Sequence, residues 1–189
     1  MTKLLADPAA SPPADARSAL AAVMPAAGLA VEYRARPGAG VGSLGRRRYV
    51  ALAQWAGGWV CREAKAAAPP ATAWASGATT PCRAADAVAR AKRSPDPFYR
   101  VVGGWVVRRL GPRSSRVELG HLATADAVRL LRAMGSEVGN VHLGTLRTAA
   151  AAVQADLAGR PRGWLADAAK AFAELLTQDW AAWRQAAPK

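Results

Sequence analysis

Acidic residues are scarce in this sequence, and so are cysteine, histidine and phenylalanine. Asp and Glu number 13 against 26 Lys and Arg, and there are two each of Cys, His and Phe. Two cysteines, Cys61 and Cys82, cannot make the disulfide framework of a small secreted fold. His121 and His142 have no Cys, His or acidic partners at zinc-ligand spacing, so no metal site is indicated. No apolar run reaches the roughly 18 residues of a membrane span. The longest candidate, 19–31, is interrupted by Pro25. The amino terminus lacks the continuous apolar stretch of a secretory signal. The expectation is a soluble, cytoplasmic protein with no membrane partner.

What the chain does have is alanine and arginine. Of 189 residues 51% are hydrophobic, but 48 are alanine, so large apolar side chains suffice for one modest core. That length fits one domain or a large fragment of a longer protein. Arginine supplies 21 of the 26 bases, and the basic excess is local. Residues 1–116 hold 18 bases and 6 acids, whereas 117–189 hold 8 bases and 7 acids. The front therefore suits an anionic ligand, whether nucleotide phosphates, nucleic acid, an acidic lipid surface or an acidic protein, the alternative being a solvated basic face with no ligand.

The hydrophobic pattern changes period along the chain. Residues 1–28 read as a Pro- and Ala-rich leader with a short helix from Asp15. Residues 29–119 read as a β-rich basic lobe: strands at 29–33, 48–55 and 59–64, the last two joined by a Gly57-Gly58 turn, then a helix over 82–93. A second hairpin, 98–102 and 105–110, turns at Gly103-Gly104. Residues 120–189 read as about three helices. The first carries Val128, Leu131, Met134, Val138 and Val141 and stops at Gly144; the second spans 146–157; the third spans 164–186 with Leu165, Phe172, Leu176 and Trp183 on one stripe. The fold class is α+β.

One motif points toward chemistry. Gly40-Val-Gly42-Ser43-Leu-Gly45 is a G-x-G-x-x-G between two strands, where a dinucleotide-binding fold would require a helix to follow. A glycine loop between strands matches the flap that kinase-like folds lay over nucleotide phosphates, and such folds put a phosphate-binding Lys on the third strand. Arg62 and Lys65 lie in that window. Three apart on a strand, they face opposite sides, so one of them can meet the loop. Glu63 is placed to pair with either. Ser43 has no His or Asp nearby in the sequence to activate it, so no catalytic residue is assigned. His142 reads as a packed core residue, Trp180 and Trp183 as core packing, and Glu137 and Asn140 as solvated or capping groups.

Several blocks in fixed order carry a resemblance: 39–52, Asp96-Pro-Phe-Tyr-Arg100 with 104–119, Ala133 to Leu143, and the tail around Phe172 and Asp179-Trp180. Together they resemble the carboxy-terminal half of the bacterial family called domain of unknown function 2252, over most of 30–185. The resemblance implies members about twice this length, whose front half carries blocks like a kinase catalytic loop and metal-binding motif, and hence a permuted kinase-like fold. It implies ATP as cofactor, with Gly40, Gly42, Ser43, Gly45, Arg62 and Lys65 binding it, and a partner chain supplying the missing half. The family's third strand commonly reads Lys-Glu-Ala, where this chain has Arg62-Glu63-Ala64. Since the catalytic and metal-binding blocks are not in this sequence, it is not expected to be a competent phosphotransferase alone. The alternatives are a basic module binding nucleic acid or an acidic protein, or a non-functional relic.

Overall fold

The computed structural model describes residues 7–36, 45–111 and 117–186. It is α+β, and contacts divide it into two units, Met1–Thr145 and Leu146–Lys189.

The first unit is built on a five-stranded antiparallel sheet: β1 (Glu32–Ala35), β2 (Arg48–Trp55), β3 (Gly58–Ala66), β4 (Arg100–Val102) and β5 (Trp105–Arg109), in the order β1-β2-β3-β5-β4. The two hairpins expected from sequence are joined by β3 pairing with β5, which makes one sheet of them. Trp55 pairs with Gly58, so the first turn is Ala56-Gly57, one residue earlier than the Gly-Gly pair suggests. Both turn residues have positive φ (48° and 78°), as the tight two-residue turn between right-twisted strands requires.

Alternation along the strands gives the sheet two different faces. On one, Ala51, Ala64, Trp105 and Val107 are buried beneath helix α1 (Ala14–Ala21), whose Ala16, Ala19 and Leu20 recur at helical spacing, with Val23 just beyond. Residues 8–10, read as leader, lie along β1 instead: Ala35 N–H donates to the Pro8 carbonyl (2.9 Å) and Ala10 N–H to the Tyr33 carbonyl (3.1 Å). The other face carries a small apolar strip, Val50, Leu52 and Cys61 against Leu110, and then turns polar. Burial, then the charge of Glu63, pushes the Cys61 thiol up to about 11, so it packs as a small apolar side chain.

Two short helices, α2 (Ala71–Ala75) and α3 (Ala84–Arg90), fill the connection from β3 to β4. Helix α4 (Thr124–Leu143) runs to Gly144 as its pattern predicts, and belongs with the sheet unit. Glu137 and Asn140, read as solvated or capping, tie it to the end of α3. Arg93 pairs with Glu137, and Lys92 N–H donates to the Asn140 carbonyl at 2.9 Å. Gly144 is not the left-handed cap that a helix-ending glycine suggests, since its φ is −62°. Glycine is needed there because a Cβ would lie 2.4 Å from the Arg90 carbonyl oxygen. Gly144→Ala is expected to cost about 1–3 kcal/mol by forcing α3 and α4 apart, read as a lower urea midpoint.

His142 is exposed, as are Val128, Leu131, Met134 and Val138 on the apolar stripe of α4, at 48–58%. The core role read for His142 requires a cover over that stripe, which the described residues do not supply.

In the second unit a 3-10 turn (Arg147–Ala149) leads into α5 (Ala150–Gly159), and Pro161 to Gly163 turns into α6 (Trp164–Ala186). Arg160 fixes that turn, with Nε on Asp156 (2.7 Å) and its guanidinium 4.4 Å above the Trp164 ring. The stripe of α6 is exposed. Trp180 and Trp183, read as core, stack on each other at 5.0 Å and remain 56% and 59% exposed.

Candidate functional site

The polar half of the second sheet face is organised by one carboxylate. Glu63 sits mid-strand on β3, opposite Val50 on one side and Arg108 on the other, and is 2% exposed. Burying a carboxylate is costly unless it is paired, and here three guanidiniums pair it. Arg36 Nη1 donates to Oε2 at 3.0 Å, Arg48 Nη1 to the same oxygen at 3.2 Å, and Arg108 brings Nε and Nη2 to Oε1 at 2.8 Å. Arg36 also meets Asp7 at 3.3 Å. The pairing partner expected for Glu63 was Arg62 or Lys65; it takes neither.

Sheet register explains the cluster. Arg48, Val50 and Leu52 alternate onto this face from β2, and Lys65 and Glu63 from β3; Arg36 follows β1, its N–H bonded to the Arg48 carbonyl. Lys65 lies directly opposite Arg48, beside the hub, and makes no ion pair or hydrogen bond among the described residues. Burial holds its ammonium below the usual lysine range, and the charges of Arg48 and Arg46 push it the same way.

Where the loop between β1 and β2 returns to the sheet there is a solvent-open depression of about 280 Å³, lined by Ala35, Arg36, Gly45, Arg46, Arg47, Arg48 and Tyr49. Gly45 has φ +76°, which suits glycine. Arg47 leaves for the opposite face, 5.5 Å from the Trp105 ring. Gly40, Gly42 and Ser43 lie outside the described residues.

Arg62 points to the first face, as its three-residue offset from Lys65 requires. It is 7% exposed and already engaged: Nε donates to the Val23 carbonyl at 2.7 Å, Nη1 to the Cys61 carbonyl at 3.0 Å, and the guanidinium lies 4.6 Å from the Phe98 ring. Arg109, its cross-strand neighbour, takes the same ring at 5.2 Å. Burial draws the Arg62 pKa down. Of the six site residues read from sequence, the structure thus brings Gly45 and Lys65 to the basic face and puts Arg62 on the other.

Sequence reasoning missed the Glu63 hub and Arg36, Arg48 and Arg108 as its partners. The signal was available: a turn at Ala56-Gly57 sets the register that places Arg48 beside Glu63, and an acid in the middle of a strand that is buried has to be paired. Among the described residues no group of three or more His, Cys, Asp or Glu is placed to hold a metal ion, and no helix is long and apolar enough to cross a membrane.

No curated protein and no solved structure matches the chain. One protein family does, over residues 1–186, described as an uncharacterized protein conserved in bacteria, DUF2252. The ordered blocks that pointed to it from sequence follow one another along this fold, from β2 through the β4–β5 hairpin to α4 and α6, and the chain belongs to that family.

Proposed function

We propose that this protein binds the phosphates of a nucleotide on the basic face of its sheet, at the foot of the loop between β1 and β2. The observation that carries the reading is Lys65: a half-buried ammonium, lowered in pKa by burial and by Arg48 and Arg46 against the weaker pull of Glu63, with no ion pair among the described residues. A phosphate would stabilise it by supplying the missing negative charge.

The order of parts supports the kinase-like form of this reading. Strand, glycine loop, strand, a basic third strand, helix and hairpin follow one another as in the nucleotide lobe of protein kinases, where the loop covers the phosphates and a third-strand lysine contacts them. On this reading Lys65 is the phosphate contact and Arg62 a strut that anchors β3 to the segment after α1. A phosphotransfer reaction, and a partner chain that would complete its site, belong to the same proposal. The residues of this chain bind and orient the anion, and no proton transfer is assigned to them.

Isothermal titration with ATP at low salt tests it. Lys65→Ala is expected to weaken binding at least tenfold with an unchanged circular dichroism spectrum. Arg62→Ala is expected to lower the melting temperature instead. Equal ATP affinity of wild type and Lys65→Ala sinks the reading. The sign with pH follows from the lowered lysine: affinity falls as pH rises through a value below the usual 10.5, because the ammonium is lost.

A further inference from the structure

Resting on the phosphate-site reading, we infer that the basic face is built for a chain of linked phosphates, recognised through its phosphates alone, rather than for a single phosphate or for a base. Charge is the first argument. Arg36, Arg48 and Arg108 close on Glu63 with Lys65 beside them and Arg46 near Lys65, and among the described residues the carboxylates paired with them are Glu63 and Asp7, an excess of three positive charges. A single phosphate brings roughly −1.5 to −2 charges at pH 7, and a chain of phosphates brings more.

Width is the second. Arg108, Lys65 and Arg48 stand on three adjacent strands, β5, β3 and β2, and Arg46 carries the row on to the loop between β1 and β2, a longer line of cations than the guanidiniums that close on Glu63. Several linked phosphates can follow that line past Lys65.

Glu63 is the third. Its two oxygens hold three guanidiniums by some of their five N–H donors each, Asp7 takes Arg36 Nε as well, and this fixes the direction of the donors of Arg48 and Arg108 that no described residue engages. Glu63 is thus a positioning residue: it fixes the cations before the ligand arrives and reduces the ordering cost of binding. Among the described residues the base has no comparable place on this face. The apolar strip of Val50, Leu52 and Cys61 is 0–3% exposed and closed off by Leu110.

Titration calorimetry of the full chain with orthophosphate, pyrophosphate, inorganic triphosphate, ATP and citrate tests the inference. The expected result is that triphosphate binds at least tenfold tighter than orthophosphate and within fivefold of ATP. Arg46→Ala combined with Lys65→Ala then weakens triphosphate at least tenfold while the melting temperature holds. ATP binding without triphosphate binding overturns the inference and leaves the nucleotide reading standing. Citrate binding as tightly as triphosphate overturns it by showing a generic polyanion surface. Absence of binding by every probe overturns both.

Discussion

Glu63→Ala is expected to lower the unfolding free energy by about 2–4 kcal/mol, a shift of about 1–2 M in the urea midpoint. The carboxylate is 2% exposed and is the common acceptor for Arg36, Arg48 and Arg108. Removing it leaves three guanidiniums crowded on one sheet face with their counter-charge gone. Their exposure decides where in the range the cost falls. Arg108 is 48% exposed and returns to water easily, whereas Arg48, at 10%, does not. Glu63→Gln keeps the shape and loses the charge, and is expected to recover little of the loss. A midpoint within experimental error of wild type for Glu63→Ala would mean that the hub contributes nothing to stability.

Trp105→Ala is expected to cost about 3–5 kcal/mol, the upper end for a large core residue. The indole is 2% exposed and packs with Ala16, Ala19 and Leu20 of α1, tilted against Tyr49 at 5.7 Å. It also carries a polar tie, its Nε1–H donating to Asp15 Oδ2 at 3.0 Å. That bond holds the Asp15 carboxyl below its ordinary 3.8. Trp105→Phe separates the two contributions: most of the packing stays and the bond goes. Because the folded pKa of Asp15 is depressed, the bond's contribution is complete above pH 3.8 and is lost as pH falls through the lowered value. The wild type is therefore expected to exceed Trp105→Phe in stability at neutral pH, with the gap closing in acid. A gap that stays constant down to the acid transition would contradict the role given to Asp15.

The sheet was legible in the sequence because its turns are. Gly103-Gly104 interrupts alternating strands where positive φ is required, and Gly57-Gly58 marked the other turn to within one residue of its place at Ala56-Gly57. Helix α6 was legible from period at both ends, and α4 at its end before Gly144, its start being set only as after Leu119. What the sequence concealed is what covers what. The stripes of α4 and α6 look like core-facing stripes, and His142, Trp180 and Trp183 were read accordingly, yet all are exposed. A periodic apolar face states that a helix has a partner surface, not where that surface is.

The site was half legible for a similar reason. Offset along β3 placed Arg62 and Lys65 on opposite faces, but local pattern could not show that Val23 and Phe98 had already engaged Arg62. Nor could it show that Glu63 would gather arginines from three separate segments. Those partners come from 27, 15 and 45 residues away, set by pairing rather than by spacing.

The central claim is that Lys65 meets a bound phosphate. Its most direct test is the rate at which each lysine is acetylated by an amine-reactive ester with and without ATP, followed by peptide mass spectrometry. A lysine of lowered pKa is the more nucleophilic one, so Lys65 reacts readily in the free protein for its degree of burial. ATP is predicted to slow Lys65 several-fold and to leave Lys92 and Lys170 unchanged. Equal rates with and without ATP at Lys65, or equal slowing at all three lysines, would contradict the assignment.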